Sequence, residues 1–201
     1  MNIILTETDG ALARRPLVKK ILEGHDDLPV ITGLSVASYD SVAARGADHP
    51  LTFNLHGALG GAPMVGLGLA LAQPTKRILV LMGDFDFIMG MRALASIRTN
   101  APKNLAIAVF DNGISGETGG QATASHWGVN FASMAIAANW PVVRSVSTVN
   151  EVEPAIEDLH SKDGPVFVNF KVSPIHPGPL KKTRDGAWMK LRFRQAFLGE
   201  P

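Results

Sequence analysis

The chain contains no cysteine. This absence excludes disulfide bonds, thiolate metal sites and cysteine nucleophiles, and it fits a cytoplasmic protein. The formal net charge is only +1, so charge gives no reason to expect nucleic acid or a membrane surface as a partner. Long apolar runs are lacking too, since residues 78–82 and 105–110 are far too short to span a bilayer. We therefore expect a soluble, cytoplasmic protein.

A secretory leader is not expected either. Residues 1–10 carry Glu7 and Asp9, and they lack a basic stretch followed by an apolar core. The length of 201 residues suits one compact domain with a sizeable core.

Short apolar runs alternate along the chain with longer segments of helical composition. The pattern predicts strands at residues 28–31, 51–55, 78–82, 105–110, 142–143 and 165–172, and helices at residues 62–72, 88–98, 131–140 and 151–161. Such alternation predicts an α/β fold with a doubly wound, mostly parallel sheet flanked by helices. In these sheets ligands bind beyond the carboxyl ends of the strands.

The pattern changes after Lys171. Prolines interrupt the chain, and residues 181–194 hold six basic residues and one acid. We therefore divide the chain into a domain at residues 1–173 and a basic C-terminal arm at residues 174–201. The arm is expected to be solvated and to wrap the domain or a neighbour. Its interleaved apolar residues favour docking on a partner subunit over binding of nucleic acid; they are Trp188, Leu191, Phe193 and Phe197.

Polar residues follow two of the predicted strands. Gly83 and Asp84 follow the run at residues 78–82, and Asp111 and Asn112 follow the run at residues 105–110. If the two strands are neighbours, Asp84 and Asn112 meet at one edge of the sheet. One carboxylate and one amide suit a Mg²⁺ whose remaining ligands are water, a main-chain carbonyl and phosphate oxygens. A helix starting near Ile88 would point its N-terminus at the same diphosphate.

These motifs resemble those of the thiamine-diphosphate-dependent enzymes. Gly83–Asp84, the helical stretch and Asp111–Asn112 resemble the family motif that begins Gly-Asp-Gly and ends Asn-Asn. Residues 55–60 resemble the Gly-Ser-Met-Gly stretch before that motif, and residues 102–105 are typical of the turn into its second strand. Residues 116–123 resemble the segment after the motif in phosphonopyruvate and sulfopyruvate decarboxylases. The similarity extends from residue 32 to residue 172 and points to the diphosphate-binding domain of that family.

The resemblance implies a role for each matching position. Mg²⁺ would be bound by the side chains of Asp84 and Asn112 and by the carbonyl of Ile114. Leu59 would hold the cofactor bent. The implied catalytic residues are Glu117, Thr118 and His56, although a loop histidine is more often structural. The implied cofactor-binding residues are Gly57, Ala58, Leu59, Gly83, Asp84, Phe85, Asp86, Asn112, Ile114, Ser115 and Gly116.

Two positions depart from the family pattern. Phe85 stands where the family has its second glycine, and Asp86 stands where it has a small residue. A phenylalanine still offers its N–H to a diphosphate if its backbone angles are ordinary. A carboxylate beside a diphosphate is repulsive unless it turns away or meets a cation. These departures predict weakened cofactor binding or a vestigial site.

The implied activity is decarboxylation of a short 2-oxo acid with a polar or anionic far end, releasing CO₂ and an aldehyde. In the family, a glutamate on a separate pyrimidine-binding domain activates the cofactor. About thirty residues precede the first predicted strand, too few for such a domain, and Glu7 and Glu23 in that segment are poor candidates. We therefore expect this glutamate from a partner (alpha) subunit, as in two-subunit sulfopyruvate decarboxylases.

Four other functions stay open. A subunit of an acetolactate synthase-like ligase, or of an oxidative decarboxylase, would keep the cofactor and change the reaction. A non-catalytic homologue would carry a vestigial site and act in assembly or regulation. A dinucleotide-binding domain is the weakest alternative, because the glycines of residues 57–68 do not form Gly-x-Gly-x-x-Gly.

Overall fold

The computed structural model describes residues 3–8, 10–34 and 36–199. A six-stranded sheet forms its centre, with strand order β2-β1-β3-β4-β8-β7, and every neighbouring pair is parallel. A separate antiparallel pair, β5 and β6, lies after β4. The predicted fold class is confirmed. The segment expected to lack a secretory leader includes Met1, Asn2 and Asp9, which lie outside the described residues, as do Glu200 and Pro201 at the end of the arm.

The elements follow one another in an alternating order. The strands are β1 (Val30–Thr32), β2 (Thr52–Asn54), β3 (Ile78–Gly83), β4 (Leu105–Asp111), β5 (Ile114–Ser115), β6 (Gln121–Ala122), β7 (Val142–Val146) and β8 (Val166–Lys171). The α-helices are α1 (Arg14–Leu22), α2 (Val36–Arg45), α3 (Ala62–Ala72), α4 (Asp84–Met89), α5 (Ala93–Asn100), α6 (Phe131–Ala137), α7 (Val152–Ser161) and α8 (Gly186–Leu198). Among the described residues, no helix is long and apolar enough to cross a membrane.

The sheet is covered on both faces, which is why β3 and β4 are buried at every position. Successive β3 residues point to opposite faces. Leu79 and Leu81 pack into a core shared with α1, α2 and α7. Ile78, Val80 and Met82 pack into a second core shared with α3, α5, α6 and α8. This two-sided burial explains the uninterrupted apolar runs in the sequence.

The helix predicted at residues 88–98 is wrong in its bounds. The structure has two helices there: α4 begins at Asp84, and α5 begins only at Ala93. The interruption includes Gly90, whose backbone packs directly against that of Gly60. A Cβ at Gly90 would lie 2.3 Å from the Gly60 carbonyl oxygen. The first turn of α4 therefore starts at the residue predicted to bind the metal.

The C-terminal segment packs on its own domain. Helix α8 is capped by Asp185, whose carboxylate accepts a hydrogen bond of 3.0 Å from the Trp188 N–H. Phe193 and Phe197 are buried in the core beneath the sheet, whereas Trp188 and Leu191 are 42% and 51% exposed. Docking of this segment on a partner subunit remains a prediction, and Trp188 and Leu191 stay exposed for it.

Candidate functional site

A cleft with a cavity volume of about 60 Å³ opens at the carboxyl ends of β3 and β4. The two strands are parallel neighbours, with Gly83 opposite Phe110, so the residues that follow them lie side by side. Both Asp84 and Asn112 line this cleft. The full set of lining residues is Leu34, Leu59, Gly83, Asp84, Phe85, Asp86, Asn112, Ile114, Ser115, Gly116, Glu117 and Thr118.

The carboxylate of Asp84 is buried and held by neutral donors. Its Oδ2 accepts hydrogen bonds from the Thr123 hydroxyl at 2.6 Å and from the Gly113 N–H at 3.1 Å. Burial raises the pKa of Asp84, and these hydrogen bonds oppose the rise. Among the described residues no basic side chain forms an ion pair with Asp84, whereas the nearby Asp111 pairs with Lys171 at 2.5 Å. Asp84 is thus a fixed carboxylate whose charge a cation would balance.

The Ser125 hydroxyl bridges two carboxylates by hydrogen bonds, that of Asp84 after β3 and that of Asp111 at the end of β4. The hydroxyl oxygen of Ser125 lies 2.5 Å from Asp111 Oδ1, to which it donates, and 3.4 Å from Asp84 Oδ2. Ser125 and Thr123 both come from the segment after the β5–β6 hairpin. This segment therefore fixes the orientation of the Asp84 side chain.

The donors at this point are oxygens of the kind that Mg²⁺ prefers. The side-chain oxygen of Asn112 accepts a hydrogen bond of 3.3 Å from the Ile114 N–H, and Ile114 itself lines the cleft. In the described part of the chain no group of three or more histidine, cysteine, aspartate or glutamate side chains could hold a metal alone. A carboxylate, an amide and a carbonyl fit a Mg²⁺ that also takes phosphate oxygens and water.

Within the described residues the Asp86 carboxylate forms no ion pair; it accepts hydrogen bonds from two backbone N–H groups. Its Oδ1 accepts from the Gly60 N–H at 2.6 Å and its Oδ2 from the Leu34 N–H at 3.1 Å. Burial raises the pKa of Asp86 to about 6, against these two hydrogen bonds. A Cβ at Gly33 would lie only 1.6 Å from Oδ2, so a glycine is needed there. The carboxylate therefore ties the segments after β1 and β2 to the first turn of α4.

Phe85 keeps an ordinary helical backbone. It belongs to α4 and is not among the non-glycine residues with positive φ. Its side chain is half-buried and lines the cleft. The condition under which a phenylalanine still offers its N–H at this position is met.

The β5–β6 hairpin forms one wall of the cleft. The Ser115 and Thr118 hydroxyls lie 2.7 Å apart, and the Gly120 N–H donates to the Ser115 carbonyl at 2.9 Å. These bonds close the turn that carries Glu117, whose side chain is exposed. On the opposite wall Leu59 is 38% exposed, which leaves its side chain free to contact a bound molecule.

Three of the predicted site residues do not line the cleft. The Nε2 atom of His56 lies 3.2 Å from the carbonyl oxygen of Thr183 in the C-terminal segment, and burial lowers the pKa of His56 with a further contribution from Lys182. Gly57 and Ala58 are exposed in the turn before α3. The catalytic role of His56 and the cofactor contacts of Gly57 and Ala58 stay predictions.

Of the residues that line the cleft, Leu34 alone was not among the site residues predicted from the sequence. The prediction also missed the residues that support the site from behind, namely Gly33, Thr123 and Ser125. Thr123 lies within the segment that resembles the decarboxylases, so a signal for it was present. Leu34 and Gly33 carry no such signal, because Leu34 acts through its backbone N–H and Gly33 through the absence of a side chain.

A family model matches residues 32–170, and it describes the thiamine pyrophosphate enzyme, C-terminal TPP binding domain. The phosphonopyruvate decarboxylase of Streptomyces viridochromogenes is 34% identical over 155 residues, which cover 77% of this chain and 38% of that protein. The sulfopyruvate decarboxylase subunit beta of Methanothermobacter thermautotrophicus is 31% identical over 81% of this chain and 83% of the subunit. The corresponding Methanocaldococcus jannaschii subunit is 30% identical over 92% of this chain and 96% of the subunit.

The chain therefore spans well under half of the Streptomyces relative and most of each beta subunit. Among solved structures, benzoylformate decarboxylase from Polynucleobacter necessarius superposes with a TM-score of 0.70 at 16% identity, over 90% of this chain and 36% of that one. At that identity the likeness shows the fold alone.

Proposed function

Since the chain belongs to the thiamine pyrophosphate enzyme family, through its C-terminal TPP-binding domain, we propose that its cleft binds the diphosphate of thiamine diphosphate through Mg²⁺. The metal would be held by the side chains of Asp84 and Asn112 and by the carbonyl of Ile114. The observation that carries this proposal is the placement of Asp84 and Asn112 after adjacent parallel strands, in one cleft.

The residues around the metal site have the chemistry that this role needs. Thr123 and the Gly113 N–H orient the Asp84 carboxylate, so little ordering is required when the metal binds. The backbone N–H of Phe85, in the first turn of α4, is hydrogen-bonded to the Asp84 carboxylate and helps to orient it. Asp86 is engaged by Gly60 and Leu34, which reduces the repulsion expected between it and a diphosphate.

The proposed reaction is decarboxylation of a short 2-oxo acid. When bound, thiamine diphosphate supplies the electron sink that accepts the electron pair left by departing CO₂. This chain would hold the metal and the diphosphate, keep the cofactor bent with Leu59, and present Glu117 and Thr118 to the substrate. The activity is supported by the relatives named for phosphonopyruvate and sulfopyruvate decarboxylation. Their names also favour a substrate with an anionic far end.

We further propose that a partner subunit supplies the activating glutamate. The two relatives that this chain covers over 83% and 96% of their length are named as beta subunits of sulfopyruvate decarboxylase. The exposed Trp188 and Leu191 of α8 are the proposed docking surface of the C-terminal segment.

The test is a decarboxylation assay on the chain alone and on the complex that copurifies with it from its own host. We expect CO₂ release from sulfopyruvate or phosphonopyruvate by the complex in Mg²⁺ and thiamine diphosphate, and none by the chain alone. Turnover by the pure single chain would contradict the requirement for a partner. Condensation of two 2-oxo acids, detected as a new carbon–carbon bond, would favour the ligase instead.

A non-catalytic homologue predicts a different result. It would form the complex but bind no thiamine diphosphate at saturating Mg²⁺. Binding that is lost on Asp84→Asn separates the enzymes from this alternative, because Asp84 is the central metal ligand of the proposal.

A further inference from the structure

The non-helical segment that joins β8 to α8, residues 172–185, passes beside the cleft. A Cβ at Gly116, in the cleft wall, would lie 3.3 Å from the His176 ring. Further along, the Thr183 carbonyl accepts from His56 at 3.2 Å when that ring nitrogen is protonated, and the Thr183 hydroxyl donates to Asp48 at 2.6 Å. The segment therefore lies against the cleft wall at His176 and against the loop after β2 at Thr183.

The lining of the cleft itself carries no cation. Its charged side chains are the acids Asp84, Asp86 and Glu117, and none of the lining residues is lysine, arginine or histidine. Asp84 would be balanced by Mg²⁺, and Asp86 is bonded to two N–H groups. Glu117 is exposed on the wall where a substrate would lie. A doubly anionic substrate would be repelled there unless a cation stood next to Glu117.

Lys182, in the segment that joins β8 to α8, is near enough to Glu117 for that carboxylate to raise the pKa of Lys182. Its side chain is half-buried, its ammonium donates to the Ser38 hydroxyl, and it lies 4.0 Å from the centroid of the Tyr39 ring. Burial lowers the pKa of Lys182, and the nearby Glu117 opposes that shift. Ser38 and Tyr39 belong to α2, which follows Leu34 of the cleft after β1. Lys182 is thus anchored to the start of α2, the helix that follows the cleft residue Leu34.

We propose that Lys182 binds the anionic far end of the substrate, a sulfonate or phosphonate, and so determines the preference for anionic over neutral 2-oxo acids. This inference rests on the proposed decarboxylase function and deepens it. Ser38 and Tyr39 act as positioning residues for the ammonium. The neighbouring Lys181 and Arg184 are exposed and form no such contact within the described part of the chain, so we do not assign them this role.

The test compares two substrates that differ in the far-end anion. The variant Lys182→Met is made in the full chain and assayed in the copurified complex with sulfopyruvate and with pyruvate. We expect kcat/KM for sulfopyruvate to fall about 10- to 100-fold, as for loss of a charge-assisted hydrogen bond, with little change for pyruvate. Lys182→Arg should retain most of the activity on sulfopyruvate. Lys181→Met, one residue away and exposed, is the matched control and should match the wild type.

Equal losses on both substrates would overturn the proposal and assign Lys182 a structural role, and so would no loss on either. A second readout does not depend on turnover: NMR-monitored titration of the full chain with sulfoacetate, with acetate as reference. Lys182→Met should weaken sulfoacetate binding selectively. If the wild-type complex decarboxylates neither substrate, the proposed function fails. The sulfoacetate titration then decides alone whether Lys182 forms an anion site.

Discussion

The backbones of Gly60 and Gly90 are in direct contact: a Cβ at Gly60 would lie 2.5 Å from the Gly90 nitrogen. One glycine ends the turn that carries Leu59, and the other ends α4, so this contact sets the distance between two walls of the cleft. The Gly60 N–H also donates to Asp86. The loop after β2 and helix α4 are therefore held together by the glycine contact and by this hydrogen bond.

Substitution of Gly90 by alanine should force these walls apart. Gly90 has an ordinary negative φ, so alanine tests the contact alone and adds no backbone strain. We expect Gly90→Ala to lower the free energy of unfolding by about 1–3 kcal/mol, as overpacking does. The matched control is Gly68→Ala in α3, where a Cβ meets nothing within 4 Å. This substitution should raise the free energy of unfolding by about 0.5–1 kcal/mol. Urea denaturation measures the free energy of unfolding of each variant. Equal changes in Gly90→Ala and Gly68→Ala would contradict a close contact at Gly90.

The close approach of Gly33 to the Asp86 carboxylate predicts that the two residues are coupled in their effect on the free energy of unfolding. A Cβ at Gly33 would overlap the Asp86 carboxylate, so Gly33→Ala should be strongly destabilising in the wild type and less so in an Asp86→Ala background. A double-mutant cycle on the free energy of unfolding should give a coupling of about 1–3 kcal/mol. Strict additivity would show that the two residues do not share this contact.

The sequence predicted the central strands and the cleft well for a physical reason. The β3 and β4 runs are buried on both faces, so local hydrophobicity alone identifies them, and the motif residues lie immediately after them. Helix α8 was missed because the prolines and basic residues before it suggested a solvated arm. Its Met189, Phe193 and Phe197 recur every fourth residue and are all buried, a signal that was available. The contact between Lys182 and Ser38 is not local, so no pattern in the sequence predicts it.

His160 should make stability depend on pH. Its ring stacks on His25 at 3.8 Å, and its Nε2 lies 2.8 Å from the Ile21 carbonyl oxygen. Burial lowers the pKa of His160 to about 4, with help from His25 and from Arg77 and Arg45. The unfolded chain takes up a proton near its ordinary pKa of about 6.5, so this contribution to stability is present above about pH 6.5 and is lost as the pH falls towards 4.

The variant His160→Gln removes that titration. Its free energy of unfolding, measured by urea denaturation from pH 7 to pH 4, should fall less steeply with decreasing pH than that of the wild type. Two parallel curves would show that His160 has the same pKa in the folded and unfolded chain.

Leu59 should matter for turnover and not for stability. It is partly exposed at the cleft, so Leu59→Ala should change the free energy of unfolding by no more than about 0.5 kcal/mol. If it holds the cofactor bent, kcat of the complex should fall about tenfold or more because the reacting groups lose their alignment. Leu71→Ala, at a residue of α3 that is 50% exposed, is the control. If the complex with Leu59→Ala kept the wild-type kcat, Leu59 would not be the residue that holds the cofactor bent.

The most direct test of the central claim is native mass spectrometry of the full chain, purified with its partners from its own host in Mg²⁺ and thiamine diphosphate. We expect a copurifying second subunit and bound mass matching thiamine diphosphate plus Mg²⁺. In Asp84→Asn that mass should disappear while the subunits stay together. A homo-oligomer without cofactor in the wild type, or cofactor binding unaffected by Asp84→Asn, would contradict it.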